Sequence, residues 1–138
     1  MRLWHQSLIP YLDRQHLLGQ HRECCALRGK GWGRKHATVD YVFKYSKEIL
    51  FGYHMAVLKE MKKRRYCYNE YWTHSRYRGK HLLWTDEENL TPQYCMERSD
   101  FIWYPEHDRA YLIECINLLK QKNAPMDFEK IERELNVR

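Results

Sequence analysis

Residues 10–27 read PYLDRQHLLGQHRECCAL and carry the clearest helical pattern in the chain. Apolar side chains at positions 12, 17, 18 and 27 fall at helical spacing, and Pro10 suits the first turn of a helix. The glycines at positions 29, 31 and 33 then interrupt the pattern. The sequence therefore predicts a first helix from about residue 10 to about residue 27.

Two later segments also have helical periodicity. Residues 49–65 carry an apolar stripe and end in four cations, which the negative end of a helix dipole favours. Residues 105 or 106 to 122 have one apolar face, and a short fourth helix is expected after Pro125. Residues 66–104 are rich in aromatic side chains and lack clear periodicity, and no alternating pattern is long enough to demand a sheet. We expect an all-α fold, a compact bundle of three to four main helices with long, irregular, aromatic-rich loops.

The composition narrows the class of protein. The chain has 138 residues without a repeat or a linker-like stretch, which predicts a single domain over residues 1–138. Its net charge of +6 favours a polyanionic partner. No apolar run approaches the roughly 20 residues that cross a bilayer, so no membrane association is expected. The odd count of five cysteines, with no signal-peptide pattern, predicts reduced thiols and a cytoplasmic protein.

Charged and polar residues of the first helix fall on one face. His16, Gly19, Arg22 and Glu23 lie three, four or seven positions apart, so they are neighbours on a helix surface. A glycine inside a helix lowers stability by about 1 kcal/mol relative to alanine. Close approach of a ligand or close packing of another helix would explain why a glycine occurs at position 19. The face gathers an acid, a base and an imidazole, and it is either a solvated surface or a site.

Three short motifs carry a resemblance to a known family. Residues 15–17 are QHL, residues 22–23 are RE, and residues 34–36 are RKH. This order near the N-terminus resembles the phage-type endonuclease V family, the pyrimidine dimer DNA glycosylase/lyases. Residues 104–107, YPEH, are similar to that family's Pro/His/Glu turn, though less specifically. The similarity covers roughly the first quarter of the chain.

The resemblance implies a DNA-repair mechanism and its catalytic residues. In that family the nucleophile is the free α-amine at the N-terminus, which corresponds here to Met1, and the glutamate of the Arg-Glu pair corresponds to Glu23. An α-amine has a pKa of about 7.7–8.0, so a substantial fraction is uncharged at neutral pH. The bulk of Arg2 should discourage removal of Met1, and we expect Met1 to be retained. If Met1 is lost, the nucleophile is the amine of Arg2.

The resemblance also implies the partner, double-stranded damaged DNA, with no cofactor, metal or obligatory protein partner. The expected DNA-binding residues are Arg2, Gln15, His16, Arg22, Arg34, Lys35 and His36. Ala26 replaces a further family arginine, so Arg28 or Lys30 would have to supply that phosphate contact. Trp32 or Trp72 could wedge into the base stack, although packing is the expected role of each. The sequence leaves the lesion open between a pyrimidine dimer and a related one.

Two alternatives remain at this stage. A non-catalytic nucleic-acid-binding module would share the basic loop and the aromatic residues but not the chemistry. A metal enzyme could use cysteines and histidines, of which His21 has helical spacing to Cys24 or Cys25, but no CxxC pair or HExxH motif supports it. The candidate ligands are His21, Cys24, Cys25, Cys67, Cys95 and His107.

Overall fold

The chain folds into α-helices and short 3-10 helices joined by extended segments. The computed structural model describes residues 2–34, 38–80, 82–83 and 102–137. Within these residues the α-helices are α1 (Arg14–Arg28), α2 (Lys47–Lys63), α3 (Arg109–Gln121) and α4 (Phe128–Glu134). The 3-10 helices of the same residues are Gln6–Tyr11, Asp40–Lys44 and Glu70–Thr73. Within the described ranges there is no strand, so the all-α prediction is confirmed.

The first helix begins later than its sequence pattern predicts. Pro10 lies inside the 3-10 helix Gln6–Tyr11, and the chain is extended at Leu12 and Asp13. The carboxylate of Asp13 accepts a hydrogen bond from the His16 amide and caps α1. The prediction from Pro10 was wrong by four residues because the aspartate cap, not the proline, sets the start of the α-helix.

A tight glycine turn ends α1. The Gly31 amide donates to the Ala26 carbonyl at 2.8 Å. A Cβ atom at Gly31 would lie 2.7 Å from that same oxygen, so only glycine fits there. The close approach at this position is therefore between two parts of the chain's own backbone.

The later helices begin at side-chain caps. Ser46 caps α2, Asp108 caps α3 and Asp127 caps α4, each accepting from a backbone amide two or three residues on. The predicted bounds of α2 are within two residues of those observed. The prediction that α3 starts at residue 105 or 106 was wrong, because the Asp108 cap delays it to Arg109.

The hydrophobic core joins the start of the chain to all four helices. The long helices α1 and α2 pack together, and α3 and α4 add buried apolar residues that include Ile116 and Ile131. Leu3 is fully buried and Trp4 is 4% exposed, although both belong to an extended segment rather than a helix. Burial of these two side chains places the N-terminal segment beside α1.

The described part of residues 66–104 is irregular apart from the 3-10 helix Glu70–Thr73, as expected. Trp84 and Cys95 lie outside the described residues. The four described cysteines are free thiols. None of the described helices has the length and apolar character needed to cross a membrane.

Candidate active site

A cleft of about 210 Å³ opens between the N-terminal segment and one face of α1. Its lining combines cations, an acid, an imidazole and an aromatic ring. The lining residues are Arg2, Trp4, Gln15, His16, Gly19, Gln20, Arg22, Glu23 and Lys122. The cleft therefore collects groups that are widely separated in sequence.

Most of the predicted site residues that the structure describes line this cleft. These are Arg2, Gln15, His16, Arg22 and Glu23. Arg34 is exposed but does not line the cleft. Met1, Lys35 and His36 lie outside the described residues.

Helical spacing explains why the polar residues of α1 meet. Gln15, Gly19 and Arg22 are separated by four and three positions, and so are His16, Gln20 and Glu23, which places them on adjacent rows of one face. The imidazole of His16 is oriented by Asp13, because His16 Nδ1 lies 2.6 Å from the Asp13 carboxylate, which can only accept. Asp13 thus both caps the helix and fixes a ring in the site.

Gly19 leaves open space in the cleft wall. A Cβ atom built at Gly19 would have the Arg22 guanidinium at 3.9 Å as its nearest neighbour, an ordinary contact. Close packing against the described residues therefore does not account for the glycine, and the position leaves room for a ligand at the wall of the cleft.

The backbone of the N-terminal segment is hydrogen-bonded to the side chain of Gln20. The Trp4 amide donates to Gln20 Oε1 at 3.1 Å, and Gln20 Nε2 donates to the Arg2 carbonyl at 2.7 Å. Gln20 is only 2% exposed. These bonds satisfy two backbone groups that would otherwise lack a partner in a segment without secondary structure.

Two tyrosines hold the next two carbonyls of the segment. The Tyr111 hydroxyl donates to the Leu3 carbonyl at 2.6 Å, and the Tyr53 hydroxyl lies 2.6 Å from the Trp4 carbonyl. Burial raises the pKa of Tyr111 to about 12 and that of Tyr53 above its ordinary value, so both stay protonated as donors at neutral pH. Three consecutive carbonyls, at residues 2, 3 and 4, are thus each held by a side chain.

The cleft carries an excess of positive charge. Arg2, Arg22 and Lys122 line it together with one carboxylate, that of Glu23. The Arg2 guanidinium lies 6.0 Å and the Lys122 ammonium 5.6 Å from the centre of the Trp4 ring. Such a surface suits a phosphate backbone.

Three further residues line this cleft and were not predicted from the sequence: Trp4, Gln20 and Lys122. Gln20 lies four residues after His16 and three before Glu23, so the same spacing argument would have found it. Lys122 directly follows the last residue of α3, and no local pattern in the sequence predicts that it lies beside α1.

A family model matches more than half of the chain. The family model described as pyrimidine dimer DNA glycosylase matches residues 1–74, which include the whole of α1 and α2. The chain belongs to this family. Its broad function is accordingly that of a DNA-repair glycosylase, and the resemblance to the phage-type enzymes is confirmed. No curated protein and no solved structure matches the chain.

A second cluster of polar residues lies on the opposite side of α1 in this glycosylase. His21 and Cys25 of α1 meet His54 of α2, with 2.9 Å between His21 Nδ1 and His54 Nε2 and 3.7 Å between His21 Nδ1 and Cys25 Sγ. The Arg28 guanidinium donates to His54 Nδ1 at 2.8 Å. That nitrogen is therefore an acceptor, and His54 Nε2 carries the proton that points to His21.

This hydrogen-bond pattern argues against a metal centre at the cluster. His54 Nε2 would have to lose its proton to bind a metal while Nδ1 accepts from a guanidinium, and the nearby positive charge of Arg28 opposes a cation. Burial also raises the pKa of the Cys25 thiol to about 12. Of the other candidate ligands in the described residues, Cys24 and His107 are buried and Cys67 is exposed.

Arg28, one of the two residues expected to supply the phosphate contact in place of Ala26, is not positioned to make it. It is 6% exposed, and its guanidinium donates to the carbonyls of Trp72 and His74 at 2.6 Å. Burial lowers its pKa to about 10, so it remains charged at neutral pH. That part of the prediction was wrong, whereas Lys30 is exposed on a separate cleft of about 360 Å³.

The two tryptophans considered as wedges take part in packing. The Trp72 ring lies 4.7 Å from the Tyr77 ring and 5.0 Å from the Arg28 guanidinium. The Trp32 ring lies 5.0 Å from that of Phe43. Neither ring is presented to the cleft that Glu23 lines.

Proposed function

We propose that this protein is a DNA glycosylase with AP-lyase activity, acting on pyrimidine dimers or a related lesion through an imine formed by its N-terminal amine. Glu23 is the acid/base of the proposed reaction. The observation that carries the proposal is that Arg2 and Glu23 line the same cleft. The proposed amine belongs either to Arg2 itself or to the residue bonded to Arg2, and consecutive Cα atoms are about 3.8 Å apart.

The proposed first step is displacement of the damaged base. The lone pair of the uncharged amine forms a bond to C1′ of the deoxyribose, and the C1′–N bond breaks with its electron pair leaving on the base. A proton goes to the departing base. Opening of the sugar ring at O4′, which takes up the amine's remaining transferable proton, gives the imine. We favour Met1 as the source of the amine, with Arg2 as the alternative.

The proposed second step is strand cleavage. The imine acidifies the C2′ proton, and the Glu23 carboxylate accepts it. The electron pair then expels the 3′ phosphate as the C3′–O bond breaks, and water releases the enzyme by hydrolysing the imine. The position of Glu23 on the α1 face, half-buried and lining the cleft, supports this role.

DNA binding in this proposal uses the positive charge around the cleft. Arg2, Arg22 and Lys122 are the described cations that line it, and Arg22 also lines an adjoining cleft with Gln15 and Arg14. Gln15 and His16 supply further hydrogen-bonding groups. Arg34, Lys35 and His36 remain proposed phosphate contacts from the segment after the glycine turn.

We also propose that residues 1–138 act as one domain. Two residues beyond the matched part of the chain support this, because Tyr111 bonds to the Leu3 carbonyl and Lys122 lines the cleft. A chain ending at residue 80 should therefore bind abasic DNA much more weakly than the full chain. Equal binding by the two would contradict a single domain.

The test of the mechanism is borohydride reduction in the presence of DNA that contains an abasic site. A covalent protein–DNA adduct is expected, because borohydride reduces an imine to a stable amine. Mass spectrometry of the digested adduct then identifies the linked residue, Met1 or Arg2. A lysine as the linked residue, or no adduct despite binding, would overturn the proposed nucleophile.

The same experiment separates this proposal from a non-catalytic DNA-binding module, which would bind with similar salt dependence but form no adduct. Strand cleavage at the dimer in a duplex that holds one cyclobutane pyrimidine dimer, measured on a denaturing gel, would then test the lesion. An undamaged duplex of the same sequence is the control.

A further inference from the structure

We infer that Gln20 is a positioning residue for the reaction, whose carboxamide fixes the amine-bearing segment in register with Glu23. The inference rests on the proposed function, since it concerns the same nucleophile. It assigns a role to a residue that makes no expected contact with the DNA.

The hydrogen bonds of Gln20 imitate those of a neighbouring strand. In a parallel ladder, one residue donates to the carbonyl before its partner and accepts from the amide after it. Gln20 Nε2 donates to the Arg2 carbonyl and Gln20 Oε1 accepts from the Trp4 amide, at 2.7 Å and 3.1 Å. A single buried side chain thus replaces a strand residue paired with Leu3.

Tyr53 strengthens this arrangement from α2. Its hydroxyl lies 2.6 Å from Gln20 Oε1 and 2.6 Å from the Trp4 carbonyl. The single hydroxyl proton can serve either oxygen, so it links the carboxamide and the segment in one network. Tyr53 is fully buried and Gln20 is 2% exposed, so the network lies almost entirely inside the core.

Apolar burial alone does not fix the segment's register. The hydrophobic effect is non-directional, so burial of Leu3 and Trp4 favours contact with the core but tolerates sliding along the segment. A slip of one residue would move the amine along α1 by roughly 3.3–3.6 Å. The directional bonds at residues 2 and 4 prevent that slip.

The position of Gln20 on α1 couples this register to the acid/base. Gln20 and Glu23 are three residues apart on one helix, so they are neighbours on its surface. The segment that bears the amine and the carboxylate that would accept the proton are therefore held by the same rigid element. An effective catalytic constellation requires placement to within about 0.5 Å, which such shared support provides.

A purely structural role for Gln20 makes a different prediction. It would lower stability in proportion to the lost hydrogen bonds and leave the reaction of the remaining folded protein unchanged. The decisive readout is therefore the rate of imine trapping in folded protein that is saturated with DNA.

The principal variant is Gln20→Met in the full chain, which keeps the side-chain length and removes both polar atoms. The single-turnover rate of borohydride trapping on abasic duplex should fall about 10- to 100-fold, because small misplacements of reacting groups have effects of this size. The dissociation constant for the same duplex should change less than about threefold. An unchanged trapping rate would overturn the inference.

Leu50→Ala is the control for a general loss of stability. Leu50 is fully buried beside Arg28, in a part of the core that does not line the cleft. Trapping by this variant should proceed at the wild-type rate below its melting temperature. A loss equal to that of Gln20→Met would mean that instability, not positioning, explains both.

Two further variants cover the case in which Gln20→Met does not fold. Tyr53→Phe removes one hydroxyl and should lower the trapping rate by a smaller factor than Gln20→Met. In Gln20→Glu, a protonated carboxyl can still donate to the Arg2 carbonyl and accept from the Trp4 amide. Its trapping rate relative to wild type should therefore rise as the pH is lowered, and a flat ratio would contradict the inference.

Hydrogen exchange separates a failure of this inference from a failure of the proposed function. The Trp4 amide should be protected in the wild type and exchange at least 10-fold faster in the folded Gln20 variants, whatever the chemistry. If the wild type forms no adduct but this protection is lost, the imine mechanism fails while Gln20 still fixes the segment. If trapping occurs and neither quantity changes in the variants, only the role of Gln20 fails.

Discussion

The two sides of α1 use the same residue types for opposite purposes. On the open side, His16, Arg22 and Glu23 line the cleft beside the N-terminal segment. On the closed side, His21 and Arg28 bond to His54 of α2, and Arg28 also bonds to the carbonyls of Trp72 and His74. The difference teaches that a histidine or an arginine of α1 is a candidate site residue where its side chain lines a cleft, and a structural residue where its side chain bonds to another part of the folded core.

The largest expected effect is the loss of strand cleavage in Glu23→Gln. The amide keeps the shape of the side chain but cannot accept the C2′ proton, so cleavage of abasic DNA should slow by about 100- to 10,000-fold. A gel assay of single-turnover cleavage measures this, and binding to the same duplex should persist. Glu129→Gln, which neutralises an exposed carboxylate on α4, should cleave at the wild-type rate.

Cleavage by Glu23→Gln within threefold of the wild-type rate would remove Glu23 from the mechanism. The open side of α1 would then be a binding surface, and the contrast between its two sides would concern DNA contact alone.

The arginines on the two sides form a matched pair for the next test. Arg28→Met leaves the buried carbonyls of Trp72 and His74 without their donor, and each unsatisfied acceptor costs about 1–3 kcal/mol. We expect a loss of about 3 kcal/mol in the free energy of unfolding, measured by urea denaturation. Arg22→Met, at an exposed position, should change stability by less than about 0.5 kcal/mol.

Arg22→Met, the variant that should lose less stability, should lose more DNA affinity than Arg28→Met. Arg22→Met should weaken binding and reduce the slope of log affinity against log salt by about one. Arg28→Met, studied at a temperature where it is folded, should keep the wild-type salt slope. A reduced slope for Arg28→Met would mean that the Arg28 guanidinium contacts a phosphate. The two sides of α1 would then not differ in DNA binding.

Local patterns in the sequence were sufficient to predict which residues share the open side of α1. Spacings of three, four and seven residues are fixed by the helix itself, so His16, Arg22 and Glu23 could be placed together before the fold was known. The start of the helix was misplaced because Pro10 is as acceptable in a 3-10 helix as in the first turn of an α-helix. The carboxylate of Asp13 then decides where the α-helix begins.

The contacts that hold the N-terminal segment could not be predicted from the sequence, because they depend on long-range packing. The groups that hold the N-terminal segment are 18, 49 and 108 positions away from their partners, at Gln20, Tyr53 and Tyr111. No helical or strand periodicity relates positions so far apart. A sequence pattern that predicts a buried tyrosine does not show which carbonyl its hydroxyl will bond to. The same limit applies to Arg28, whose partners lie 44 and 46 residues away. Its burial depends on where the chain after α2 returns.

The buried histidines predict that acid destabilises the protein. Burial lowers the pKa of His107 to about 3, while the unfolded chain has the ordinary value of about 6.5. Below about pH 6.5 the unfolded state binds a proton that the folded state does not, so stability is greatest above this pH and falls as the pH decreases. One such group contributes a slope of about 1.4 kcal/mol per pH unit.

Urea denaturation between pH 7 and pH 4.5 measures this slope. His54 on the closed side of α1 also has a lowered pKa because it is buried beside Arg28, so it should add to the effect. His107→Gln should reduce the slope without abolishing it. An identical slope in the variant would mean that His107 takes up its proton without unfolding.

The smallest expected effect sharpens the comparison most, because it should move stability and DNA binding in opposite directions. Gly19→Ala adds a methyl group whose nearest neighbour is a flexible guanidinium at 3.9 Å, so the folded protein accommodates it. Alanine is favoured over glycine inside a helix by about 1 kcal/mol, and the melting temperature should rise. The added methyl narrows the cleft, so affinity for abasic duplex should fall. Asn117→Gly, at an exposed position in α3 that does not line the cleft, is the converse control, and it should lower the melting temperature without changing the affinity. If Gly19→Ala raised the melting temperature and left the affinity unchanged, the ligand would not approach this wall of the cleft.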